Sequence, residues 1–205
     1  MDAAAIVASI GSARVQRSFG FIDLCGFTDF VDANGDQAGV TELRGLRNTV
    51  RDVAPECGVR IDKWLGDGAM LVGVEMDPLV AALLAIGDRL GREAALPMRA
   101  GAATGRVILL EGDDYVGRTV NLAARLCELA QADEVLVATE GWPLPGWVRS
   151  TPRGLVTVKG FVGPVAVVAV EVDPDTGTAG SGGHRPGVGS FLDLIGRGLR
   201  SRGPE

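Results

Sequence analysis

The chain of 205 residues is 46% apolar, 22% charged and 5% aromatic, the composition of a soluble globular protein long enough to bury one sizeable core. Its 26 acidic against 20 basic side chains leave a net charge of −6, which disfavours broad nucleic-acid binding and attachment to anionic membranes. The sole histidine, His184, stands in a Gly-rich stretch near the C-terminus, so a His triad, a His metal cluster and a His general base in the core are excluded. The basic residues comprise 18 arginines and only two lysines, Lys63 and Lys159.

Cys25, Cys57 and Cys127 form no CxxC pair and read as reduced thiols, mostly filling the core. No apolar run approaches the roughly 18 residues of a membrane span, and the apolar opening Ala3–Ile10 lacks a preceding basic region, so a cytoplasmic location is expected. In chain order, Phe19–Leu24 reads as a strand. A helix follows over about 38–54, with Val40, Leu43, Leu46 and Val50 on one stripe. Val59–Leu65 and Ala69–Val74 are strands around the turn Gly66-Asp67-Gly68. A helix spans Pro78 to about Leu90, with proline near its first turn. Met98–Thr104 and Val107–Leu110 are strand-like, Arg118 to about Ala130 is helical, and strands follow at Glu134–Val137, Leu155–Val158 and Val165–Val172. The order β-α-β-β-α-β with additions implies an α+β fold, helices on a largely antiparallel sheet with a ferredoxin-like centre. We expect a lead over 1–18, one domain over 19–172, and over 173–205 a Gly-rich linker with a short amphipathic tail.

Asp23 ends an apolar strand just before Leu24-Cys25-Gly26-Phe27-Thr28, and a carboxylate there requires a cationic partner. Gly26 lets backbone approach a ligand, and the amides entering the next helix favour anions. Asp67 sits at a hairpin tip, and two carboxylates at adjacent strand ends suit hard cations such as Mg²⁺ or Mn²⁺. Each feature also has a plain structural reading. Gly-Asp-Gly is by itself a turn, Lys63 a strand lysine whose stem lies on apolar surface, and residues 112–117 an acidic loop. Asn121 and Arg125, four apart on one helical face, read equally as a solvated side chain and a surface ion-pair residue.

Three blocks taken in order are more specific. Phe21-Ile-Asp-Leu-Cys-Gly-Phe-Thr28, Lys63-Trp-Leu-Gly-Asp-Gly-Ala-Met-Leu71 and Asp114-Tyr-Val-Gly-Arg-Thr-Val-Asn-Leu-Ala-Ala-Arg-Leu126 strongly resemble the class III adenylyl cyclase catalytic domain. The likeness extends through Val158-Lys-Gly-Phe and covers roughly 19–172. It implies that Asp23, Asp67 and the Leu24 carbonyl bind two Mg²⁺ or Mn²⁺ ions, and that Lys63 and Asp114 read adenine. It further implies that Asn121 orients the ribose, that Arg125 stabilises the phosphate under attack, and that the amides of Gly26, Phe27 and Thr28 cradle the triphosphate. Lys159 falls in the Val-Lys-Gly block as an expected phosphate contact.

Lysine donates to a ring nitrogen and carboxylate accepts from an exocyclic amine, a pattern that favours ATP over GTP. The expected reaction is metal-assisted conversion of ATP to 3′,5′-cyclic AMP and pyrophosphate, with Asp23, solvent or substrate as the base. The alternatives are a catalytically silent nucleotide-binding module and a guanylyl cyclase. The resemblance also implies a head-to-tail homodimer with sites at the interface. The short span between Gly105 and Asn121 resembles a bacterial subgroup with a reduced clasping arm and a weak dimer.

Overall fold

Strand β1 (Arg14–Leu24) carries Phe19 and Phe21 on one side and Ile22 and Leu24 on the other, so both of its faces need cover. The computed structural model describes residues 14–110 and 114–177. Gly112, Asp113, the Gly-rich stretch with His184 and the expected tail helix near Phe191–Arg202 lie outside the described residues. After β1 come α1 (Phe27–Asn34), α2 (Asp36–Glu56), β2 (Arg60–Leu65), β3 (Gly68–Gly73), α3 (Met76–Glu93), β4 (Met98–Leu109) and β5 (Tyr115–Val116). Then follow α4 (Arg118–Leu129), β6 (Val135–Ala138), β7 (Val148–Val156), β8 (Val165–Val172) and a 3-10 turn, Pro174–Gly177.

The sheet order is β2-β3-β1-β4-β6-β8-β7, with β5 paired to β4. The first four strands, with the helical segment before β2 and α3 before β4, form the expected ferredoxin-like unit. Of the pairings only β4 with β6 is parallel, so the sheet is mostly antiparallel. Helices α2 and α3 cover one face through Leu46, Val50, Val53, Leu79, Leu83 and Ile86. Helix α4 covers the other with Leu122, Ala123 and Leu126 against Phe19, Met70, Val72 and Val107.

Two glycines set how closely these layers meet. A Cβ at Gly101 would overlap the backbone of Ala123, Leu126 and Cys127, so α4 lies directly on β4 there. A Cβ at Gly68 would overlap the Ile22 carbonyl, and its absence lets the hairpin tip close on the end of β1. Arg149 of β7 pairs with Asp173 (3.2 Å) and Asp175 (3.6 Å), tying the last described segment to the sheet edge. Among the described residues no helix is long and apolar enough to cross a membrane.

Candidate active site

Antiparallel register puts Asp23 opposite Gly68 on one neighbour and opposite Arg99 on the other. The Leu24 N–H donates to the Asp67 carbonyl (3.3 Å) and the Cys25 N–H to Pro97 (2.9 Å), which fixes the end of β1 against the hairpin tip. Gly66 at that tip and Gly26 after β1 both have positive φ, 65° and 73°. Gly26 opens α1, whose N-terminus has no side-chain cap. The first-turn amides of Phe27 and Thr28 therefore stand without intrahelical acceptors beside two carboxylates, available to an anion.

Arg99 is the residue that sequence reasoning missed. Its Nε and Nη2 both donate to Asp23 Oδ2, at 2.9 and 2.6 Å, and Nη1 donates to the Glu128 carbonyl of α4 at 3.3 Å. The signal was present: one arginine in the small-residue strand Met98-Arg-Ala-Gly-Ala-Ala103 must have a reason to be there. The Asp67 carboxyl is pushed above the ordinary carboxylate range, first by burial; its own backbone N–H and Arg99 pull it down, and the charge of Asp23 raises it further. Two carboxylates side by side with a single arginine to offset them, presenting only oxygen donors, fit a hard divalent cation. Among the described residues, no group of three or more His, Cys, Asp or Glu side chains converges, so such an ion would draw on backbone or substrate oxygens as well.

A second cluster lies further along the same sheet face. Lys63 on β2 pairs with Asp114 just ahead of β5, and both side chains are about half exposed. The hydrogen bond to Asp114 raises the lysine above its usual range, with the charges of Asp114 and Asp62 adding to the effect. Asn121 and Arg125 project from α4, the first exposed and the second half-buried. Arg125 reaches both oxygens of Glu128 (2.7 and 2.6 Å), the residue whose carbonyl also holds Arg99.

Asp23, Leu24, Asp67 and Gly26-Phe27-Thr28 thus converge, Lys63 meets Asp114, and Asn121 and Arg125 share one helix face. Lys159 stays exposed in the turn after β7. That turn is closed by the Phe161 N–H on the Val158 carbonyl (3.0 Å), and the Phe161 ring lies under the Arg118 guanidinium of α4 at 4.9 Å.

No family model matches the chain. An uncharacterized protein of Mycobacterium tuberculosis (strain H37Rv) is 37% identical over 165 residues, 80% of this chain and 43% of that protein. A Streptomyces coelicolor protein named adenylate cyclase is 31% identical over 125 residues, 60% of this chain and 32% of that protein. The chain therefore spans less than half the length of these curated relatives. Among solved structures, the adenylyl cyclase CyaB from P. aeruginosa is similar with a TM-score of 0.65 at 26% identity, over 78% of this chain and 95% of that one. The guanylate cyclase domain of RhGC from Catenaria anguillulae, solved with GTP, shares the fold with a TM-score of 0.68 at 21% identity, over 77% of this chain and 97% of that one. The described residues thus share their fold with class III nucleotide cyclase catalytic domains, and several of the curated relatives are named adenylate cyclase.

Proposed function

We propose that the chain is an adenylyl cyclase, converting ATP to 3′,5′-cyclic AMP and pyrophosphate. The observation that carries this reading is the meeting of Asp23 and Asp67 beside the uncapped N-terminus of α1, which offers metal ligands and triphosphate donors at one point. Asp23, Asp67 and the Leu24 carbonyl would hold two Mg²⁺ or Mn²⁺ ions; bound there, such ions neutralise triphosphate charge and acidify the ribose 3′-hydroxyl. The Phe27 and Thr28 amides bind phosphate oxygens, and the guanidinium of Arg99, on the same carboxylate, lies within the same charge system. Arg125 offsets charge that develops on the α-phosphate, Asn121 orients the ribose, and Lys159 contacts phosphate from its exposed turn. Lys63 and Asp114 select adenine by donating to a ring nitrogen and accepting from the amine. ATP and a second copy of this chain are the proposed partners, with residues from both copies completing each site.

The test is turnover of ATP and of GTP by the whole chain with Mn²⁺ or Mg²⁺, at several protein concentrations. Cyclic AMP and pyrophosphate in equal amounts are expected, with Asp23→Asn and Arg125→Ala each losing about a hundredfold or more in kcat. Binding without product under either metal would mean a silent module; faster turnover of GTP would mean a guanylyl cyclase.

A further inference from the structure

The Lys63–Asp114 pair is poorly equipped to hold its own geometry. Both side chains are about half exposed, and ion pairs of that kind contribute only about 0–1 kcal/mol. Yet a base is selected only if donor and acceptor stand at fixed separation. Something else has to hold them.

The neighbouring residues supply it. In an unbroken strand, residues 60 and 63 would point to opposite faces. The register of β2 on β3 shifts between Ile61 and Lys63, so that Arg60 lies opposite Val72 and Lys63 opposite Met70. Met70 and Val72 pack with Phe19 on the α4 side, whereas Ile61 and Trp64 pack on the other. The extra residue, Asp62, therefore brings Arg60 and Lys63 to one face. Its side chain is only 3% exposed, and its Oδ1 accepts from Arg60 Nη2 at 2.7 Å. The same Nη2 donates to the Tyr115 hydroxyl at 3.2 Å, and the guanidinium lies 5.8 Å from the tyrosine ring centre. Tyr115, the only tyrosine in the sequence, meets the fully buried Phe19 edge to face, centroids 5.2 Å apart. It is the residue next to Asp114, whose carbonyl accepts from the Leu110 N–H at 2.8 Å.

We propose that Arg60 and Tyr115, joined over the bulge at Asp62, are positioning residues that hold Lys63 and Asp114 at a fixed separation and thereby set the nucleobase preference of the site. The inference rests on the base-reading role proposed above for that pair. Tyr115 anchors the Asp114 segment to the core, the bulge orients Lys63, and the Arg60 fork joins the two carriers.

The test compares binding of ATP, GTP and inorganic tripolyphosphate to the full chain with Mn²⁺, by titration calorimetry. Tripolyphosphate has no base, so it reports the phosphate and metal part of the site alone. Lys63→Met is the reference and is expected to abolish the preference for ATP over GTP. Tyr115→Phe and Arg60→Met are each expected to lower that preference about three- to tenfold, leaving tripolyphosphate affinity unchanged. Arg60→Lys, which keeps charge and a donor, should recover part of the loss. An unchanged preference in Tyr115→Phe and Arg60→Met, with Lys63→Met still losing it, overturns the inference and leaves base reading intact. Tripolyphosphate affinity falling in step with the preference also overturns it, since the two residues would then be merely structural. If Lys63→Met itself keeps the preference, base reading fails and the inference falls with it.

Discussion

Arg99 occupies the carboxylate that metal chemistry would need. The pair is about two-thirds buried, with side-chain exposures of 31% and 27%, so it is screened less than a surface bridge. Arg99→Ala should cost the metal-free fold about 1–2 kcal/mol, read as a Tm several degrees lower. A divalent ion then offers Asp23 a replacement charge, so Mn²⁺ should raise the Tm of Arg99→Ala more than that of the parent. An equal deficit with and without Mn²⁺ would contradict a shared site for cation and arginine. The thiols give a second prediction at this scale. Burial pushes Cys127 up to about 12 and Cys57 up to about 11, against 9.0 for an unhindered thiol. The folded chain keeps these protons where the unfolded chain releases them. Stability therefore falls as pH rises above about 9, by up to about 1.4 kcal/mol per pH unit for a fully retained proton, and the fall ends once the folded thiols ionise. Urea titrations between pH 8 and 10.5 should show this decline, flattened in Cys127→Ala; a parallel decline in that variant would assign it elsewhere.

Among the elements, β4 shows how a strand can read as two. The sequence pattern breaks at Gly105-Arg106, whereas the structure runs β4 unbroken over Met98–Leu109, with Gly105 paired to Arg17. The glycine is there because the Thr119 side chain at the start of α4 occupies the space a Cβ would take. Gly101 does the same further along, so Gly101→Ala must push α4 off the sheet. We expect a loss of about 2–3 kcal/mol by urea unfolding, with Asn121 and Arg125 displaced and turnover reduced further than stability alone explains. Wild-type stability in that variant would refute the close approach. Elsewhere legibility follows periodicity. Helices α3 and α4 and strand β8 carry strong patterns, and the structure places them within a few residues of expectation. β1 begins at Arg14 rather than Phe19, because Arg14–Ser18, polar apart from Val15, is still paired to β4. β7 runs over Val148–Val156 rather than Leu155–Val158. Pro152 argues against a strand by sequence, but β7 is an edge strand and shifts register between Pro152 and Gly154. In α2, Val40 is exposed while Thr49, Val53 and Ala54 are buried, since packing on α3 and the sheet selects a face rotated from the apolar stripe. The candidate site residues come from motifs in the sequence. Arg99 and the Arg60–Tyr115 clasp do not, because cross-strand register and a bulge determine them and neither is written in local sequence.

For the whole molecule the question is where one site ends. Asp23 and Asp67 share their charge system with Arg99, whereas Lys63 is engaged with Asp114; under the proposed function these are the two halves that one chain brings to different sites. Leu110 and Val116, 49% and 50% exposed just after β4 and on β5, are apolar residues beside the second of them. Under the proposed function, a second copy of the chain would bring the missing half of each site. The net charge of −6 opposes that association, so added salt should strengthen it by screening the repulsion between like-charged copies. Sedimentation of the chain across protein concentration and ionic strength reads this directly. Function reads it more sharply. In a two-fold dimer, pairing an Asp23→Ala chain with an Arg125→Ala chain puts both lesions in one site and leaves the other intact. Half of the dimers in an equal mixture are mixed and each has one good site, so about a quarter of parental activity should return. Each variant alone stays inactive. If each site were completed within a single chain, every site in the mixture would carry one lesion, and mixing would restore nothing.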